Sequence, residues 1–268
     1  MPYTHYYDKS DMLHASMMNI MGTGLDVLMI HRNKELTLSV WDGIQAEVQR
    51  LHRMFNRFDA ASELSAINRQ ASRQAVHLSN EWWEILCDLR QYHQRTEGYF
   101  DASLSDFRHV LLDTCHHAVT FAKKDIALDL GAYAKGYALN KIKQILMKHD
   151  VRQALVNFGN SAVLALGAHP HGEAWNIGVN HPLKPDITLK TYSLRDCALS
   201  TSGNTAMHSA HIVNPHTGVF YQGQRLASVV STSCVDAEVL STALIVADSN
   251  AIQRMKQDFE LISADTFN

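Results

Sequence analysis

The run DLGAYAKGYALN, Asp129 to Asn140, constrains this chain more than any other segment. An acidic residue is expected to close an apolar strand, and Gly131 permits a sharp turn. A helix is then predicted from Ala134 to His149, with Ala138, Ile142, Ile145 and Leu146 facing inward. Such a junction sets unpaired backbone N–H groups and a positive dipole end beside the Lys135 ammonium, which suits an anionic ligand. Glycine and lysine also occupy strand–helix junctions that bind nothing, so the segment needs companions. The turn sequence VNFGNSAVLALG, Val156 to Gly167, follows shortly after it.

Periodicity supplies the frame. Val40, Ile44, Val48, Leu51, Phe55 and Phe58 recur at three- and four-residue steps, predicting a helix over 39–58 with Ser39 and Asp42 as a capping box. A short helix is expected over 63–71. Another starts near Ser79, where Trp82, Ile85, Leu86, Leu89 and His93 form one stripe and the tryptophans read as core. Residues 17–31 read as a first strand interrupted at Gly22 and Gly24, and 101–127 as a hairpin plus loop. Strands are predicted over 153–158, 162–166, 175–179, 187–194, 211–213 and 226–231, then an apolar helix over 234–247 and a last strand over 259–264. Without a repeat or a low-complexity linker, the pattern is one mixed α/β domain over 1–268, with sheets and packed helices.

Composition excludes several function classes. With 24 basic and 27 acidic side chains the net charge is −3, so no basic field recruits nucleic acid and no polybasic stripe faces an anionic membrane. No apolar run is long enough to span a bilayer, and the first residues lack a secretory pattern, so membrane insertion is not expected and the cytoplasm is the expected location. Cys87, Cys115, Cys197 and Cys234 are scattered, without a CxxC pair. The local histidine pairs, among them His116-His117 and His208/His211, lack the spacing of a zinc motif.

Four further segments carry chemistry-bearing residues. Asn19 to Thr23 (NIMGT), with Met21 and Gly22, would let backbone approach a ligand. Thr201, Ser202, Gly203 and Asn204 read either as an ordinary β-turn or as a hydroxyl-bearing loop. His211 precedes an NP…TG turn and is a candidate general base. Glu238 and Thr242 lie four apart and share a helix face, a hard-oxygen pair suited to Mg²⁺; the other reading is a solvated face, against which the flanking Val239, Leu240, Ala243 and Leu244 argue.

In order, these segments together with SELSAIN (62–68), GYFDASL (98–104) and EVLSTAL (238–244) resemble the ApbE family of FAD:protein FMN transferases, from about Met21 to about Ala247. The resemblance implies an ApbE-like fold with a flavin-binding cleft. It also implies Mg²⁺-dependent transfer of FMN from FAD, the flavin substrate, to a Thr or Ser hydroxyl of an acceptor flavoprotein, releasing AMP. Relatives that hydrolyse FAD to FMN and AMP, and a catalytically degenerate FAD binder, are the alternative outcomes. Carried over residue by residue, the resemblance assigns magnesium to Glu238, Thr242 and the carbonyl of Ala132, and the general base to His211. The flavin cleft falls to Met21, Gly22, Asp129, Lys135, Thr201, Ser202 and Gly203. The chain departs from the pattern at Glu238, where the family has an aspartate, at Asn214 and Asn140, and in its short 101–128 segment.

Overall fold

A computed structural model describes residues 3–103, 105–204 and 211–268. The chain opens with β1 (Tyr3–Tyr7), β2 (Met12–Ile20) and β3 (Thr23–Ile30). The interrupted strand expected over 17–31 is therefore a hairpin. Ile20 pairs with Thr23 across Met21 (φ 47°) and Gly22 (φ 77°). Two consecutive left-handed residues are what a two-residue turn matching the twist of antiparallel strands requires, and the glycine accepts that conformation without strain.

Helix α1 (Lys34–Phe55) begins five residues before the expected start, because Asn33 rather than Ser39 caps it, its side chain accepting the Leu36 N–H at 3.0 Å. Helix α2 (Glu63–Gln70) is capped by Ser62, and α3 (Asn80–Arg95), after the short β4 (Val76–His77), by Ser79. The 101–128 segment contains the hairpin of β5 (Val110–Asp113) and β6 (Ala118–Phe121), which β4 extends to three strands.

Helix α4 (Ala134–Lys148) leads into β7 (Gln153–Phe158), β8 (Ala162–Leu166) and the ribbon β9 (Trp175–His181)–β10 (Lys184–Leu194). Next comes β11 (Cys197–Gly203), then the two-residue strands β12 (Val213–Asn214) and β13 (Val219–Phe220), and β14 (Leu226–Ser231). Helices α5 (Cys234–Val246) and α6 (Ser249–Asp258) precede β15 (Leu261–Phe267), two residues later than the expected last strand. The sequence Leu199-Ser200-Thr201-Ser202-Gly203, whose second half also reads as a turn, is strand, and α6 was not anticipated.

Eight strands form one sheet in the order β1-β2-β3-β7-β8-β11-β14-β15, with every neighbouring pair antiparallel. One face carries the helices over a core that includes Trp41, Trp82, Tyr133 and Phe158. The other is covered by the β9–β10 ribbon, whose Trp175, Val179, Tyr192 and Leu194 pack on Val163, Leu199 and Val230. Each fully buried large aliphatic side chain in these layers contributes ~1.5–3 kcal/mol. Strand alternation therefore decides which half of each strand meets the helices. Among the described residues no helix is long and apolar enough to cross a membrane.

Candidate active site

Helices α4 and α5 touch at Gly136. A Cβ there would lie 2.7 Å from the Cys234 carbonyl oxygen and 2.9 Å from both Val235 Cα and Glu238 Cβ, so only glycine permits the approach. Asn140 reinforces it, its Oδ1 accepting the Cys234 N–H at 3.3 Å. The asparagine that departs from the family pattern thus helps cap the neighbouring helix. The contact brings Lys135 onto Glu238 as an ion pair.

Glu238 is 3% exposed. A carboxylate so deeply buried is tolerated only with a counter-charge and hydrogen bonds. Lys135 pairs with Oε1, and the Ser200 hydroxyl donates to Oε2 at 2.7 Å. Further hydroxyls continue outward: Ser200 to Ser241 at 3.1 Å, Ser241 to Ser202 at 2.8 Å, and Ser202 to Thr242 at 3.2 Å. Thr242 also donates to the Glu238 carbonyl at 3.3 Å, the bond expected of a hydroxyl four residues along a helix.

Alternation along β11 sorts its hydroxyls. Ser200 and Ser202 point to α5, whereas Thr201 points to the ribbon face, where its hydroxyl meets Ser228 at 3.0 Å. Thr201 therefore does not bring its side chain to Glu238. Gly203 ends the strand opposite Leu226. Asn204 then donates to the carbonyls of Tyr221 and Gly223, both at 3.0 Å, while the Tyr221 N–H donates to Ile212. These bonds tie Ile212, the neighbour of the exposed His211, to the segment that follows β11. His208 and Leu104 of the sequence motifs lie outside the described residues.

Asp129 closes no strand: residues 122–130 are irregular. Its carboxylate shapes the turn instead, accepting the Gly131 N–H at 2.8 Å and pairing with Arg57 at 3.2 Å, while its own N–H donates to the Ala102 carbonyl. Ala132 lies in the turn that follows, half-buried, two residues before α4 begins. Among the described residues, the other five α-helices all have a side-chain N-cap; α4, which starts after Tyr133, has none. The Ala134 N–H donates to the Leu130 carbonyl at 2.7 Å, and no side chain caps the N–H groups that follow it. Met21 sits in the β2–β3 turn with its N–H donated to His52 Nδ1 at 3.1 Å.

The structure thus gathers Lys135, Ser202, Glu238 and Thr242 at one point, with Ala132 in the turn before α4 and Gly203 at the end of β11. Met21 and Gly22 stand in the β2–β3 turn and Asp129 in the irregular segment before α4, with no bond to that point among the described residues. Sequence reasoning missed Ser200, Ser241 and His52. The two serines carried a signal, since Ser200 is two residues from Ser202 on a strand and Ser241 three from Glu238 on a helix. His52 carried none, because its partner is a backbone amide in a distant turn.

The fold is shared with solved structures. The ApbE protein of Thermotoga maritima superposes with a TM-score of 0.81 at 22% identity, covering 92% of this chain and 91% of that one. The flavin transferase ApbE of Vibrio cholerae does so with 0.79 at 17%, covering 92% and 90%. The sequence profile of the ApbE family matches residues 21–110 and 102–264, and the chain belongs to that family. Relatives include the FAD:protein FMN transferase of Treponema pallidum, 31% identical over 245 residues that cover 71% of this chain and 66% of the relative. That of Chlamydia muridarum is 24% identical over 233 residues, covering 72% and 71%.

Proposed function

We propose that this chain, as a single domain over 1–268, is a flavin transferase that moves FMN from FAD to a Thr or Ser hydroxyl of an acceptor protein and releases AMP. The observation that carries the reading is the buried Glu238 carboxylate, ringed by hydroxyls and opposed by a lysine at the uncapped start of α4. The names of the relatives agree with it.

The donor set fits a hard divalent cation. Every ligating atom offered by Glu238, Thr242, Ser202 and the Ala132 carbonyl is oxygen, and a cation, the Lys135 ammonium, already stands against the carboxylate. Glu238, Thr242 and Ala132 would hold Mg²⁺, which would supply Lewis acidity and charge neutralisation to the diphosphate. Lys135, flexible and one-fifth exposed, then turns its charge from the carboxylate to the diphosphate. The N-terminus of α4, which no side chain caps, would face the same anion. Met21, Gly22, Asp129, Ser202 and Gly203 border the flavin nucleotide, and Thr201 contributes only through its strand.

In the transfer, the acceptor hydroxyl oxygen bonds to the phosphorus of the FMN half and the bond to the bridging oxygen breaks. AMP leaves with that electron pair, and His211 takes the hydroxyl proton. The test is mass spectrometry of a candidate acceptor incubated with the protein, FAD and Mg²⁺. The expected result is addition of one FMN, with AMP formed only when acceptor is present, both lost in His211→Ala. AMP formed equally fast without acceptor makes the protein an FAD pyrophosphatase. No AMP under any condition makes it an FAD-binding protein in which Lys135 permanently satisfies Glu238.

A further inference from the structure

The GYFDASL segment is left without a role by the transferase reading, and it builds a second cluster. His93 stands on the last turn of α3, Asp101 and Asp106 on the loop that follows, and His109 in the single 3₁₀ turn beyond, Phe107–His109. Ligand atoms of His93, Asp101 and Asp106 all lie within 4.8 Å of one another. The Asp101 side chain is 3% exposed, with Oδ2 3.3 Å from His93 Nδ1; Asp106 Oδ2 is 3.6 Å from His109 Nδ1.

Both of these imidazole nitrogens are buried without an aligned hydrogen bond. A neutral ring that turns a bare Nδ1 lone pair toward a carboxylate is repelled by it, and a misaligned N–H gains little. Yet the carboxylates are held firmly in place. Asp101 accepts from Ser103 N at 2.7 Å, Ser103 Oγ at 2.6 Å and Phe107 N at 2.9 Å, and Asp106 from Arg108 N at 3.0 Å and the Arg108 guanidinium at 2.8 Å. Outer hydrogen bonds of this kind orient the carboxylates of metal centres. A cation among His93, Asp101 and Asp106 would satisfy these three side chains together.

We propose that His93, Asp101 and Asp106 form a binding site for a divalent first-row transition ion. An imidazole nitrogen with two carboxylates suits Zn²⁺ or Mn²⁺ and disfavours Mg²⁺, which takes oxygen ligands. The cluster opens on a cavity of about 650 Å³ walled also by Arg108, Pro215 and His216, which leaves room for a water or an anion on the ion. The site shares no side chain with the Glu238 cluster, so it stands or falls independently of the transferase reading.

The test is calorimetric titration of the chelator-stripped full chain with Zn²⁺ in excess Mg²⁺, with Co²⁺ absorption as the spectroscopic signature. One Zn²⁺ is expected to bind that Mg²⁺ does not displace. Affinity should fall by about 100-fold or more in His93→Gln and in Asp106→Asn, each with the Co²⁺ spectrum lost, since even outer-shell changes cost 10–100-fold. His116→Gln, which alters the exposed His116–Asp113 pair, should leave both unchanged. Absence of Zn²⁺ binding overturns the proposal, as does binding that survives Asp106→Asn. That variant alters a partly exposed loop residue and settles the matter even if His93→Gln fails to fold.

Discussion

Two carboxylates on separate helices, α3 and α5, are held in opposite ways. Glu81 on α3 is gripped by the Arg50 guanidinium through two bonds of 2.8 Å, accepts the Tyr137 hydroxyl at 2.8 Å and has Lys141 at 3.6 Å. Glu47 holds the other side of Arg50. Glu238 is more deeply buried, yet has a single ammonium and one serine. A guanidinium fork fixes geometry and stays charged, whereas an ammonium on a four-carbon stem is a point charge that can swing away. The first arrangement is a brace tying α1, α3 and α4. The second is a carboxylate held by one such point charge and one hydroxyl. In the proposed reading, the replaceable partner and not burial separates the site from the brace.

The largest expected effect breaks the comparison at Glu238. Glu238→Gln keeps the shape and removes the charge, so AMP release should fall about a thousandfold, ~4 kcal/mol, while FAD affinity changes little. Unaltered magnesium dependence in that variant would remove Glu238 from the metal site. Next comes the close approach that makes the pair possible. Gly136→Ala drives a methyl into the α5 backbone, which outweighs the gain in helix propensity and should cost about 2 kcal/mol by denaturant unfolding. An unchanged midpoint would mean that Lys135 reaches Glu238 without tight helix contact.

The brace and the site were unequally legible in the sequence. Apolar periodicity marked α1, α2, α3 and α5, because each buries a regular stripe or, in α5, nearly every face. Periodicity did not mark the start of α1, which a polar cap at Asn33 decides. Nor did it secure β11, since three consecutive hydroxyl residues resemble a turn until Glu238, Ser241 and Ser228 are seen to satisfy them. The exposed β1 carried no apolar alternation, and α6 is short and polar, held by Asp248 at its cap. Glu238 and Thr242 could be read from their spacing. Lys135 could be read as a charge beside a helix start, but its pairing with Glu238 could not, because that follows from a helix contact at Gly136. The His93–Asp101–Asp106 cluster was hidden similarly, as its spacing fits no helix or strand face.

A smaller effect falls on the brace. Glu81→Gln should leave transfer unchanged and lower stability by about 1 kcal/mol, the modest value due to a partly exposed, hydrogen-bonded pair. Loss of activity there would erase the distinction between brace and site. The smallest effect is the pH dependence of that difference. Burial alone would raise the Glu81 carboxyl, but hydrogen bonds from Arg50 and Tyr137, with the charges of Arg50 and Lys141, outweigh it and hold the group below the ordinary carboxylate range. A carboxyl depressed in the folded state binds protons more weakly there than in the unfolded chain. Its stabilisation is therefore complete above the unfolded value of about 4.3 and is lost as pH falls through the lower folded value. The gap in melting temperature between the parent and Glu81→Gln should be constant near neutrality and close with acidification through that window. A gap that persists in acid would assign the effect of Glu81 to packing and shape instead of charge, leaving Glu238 as the one carboxylate of the two whose charge matters.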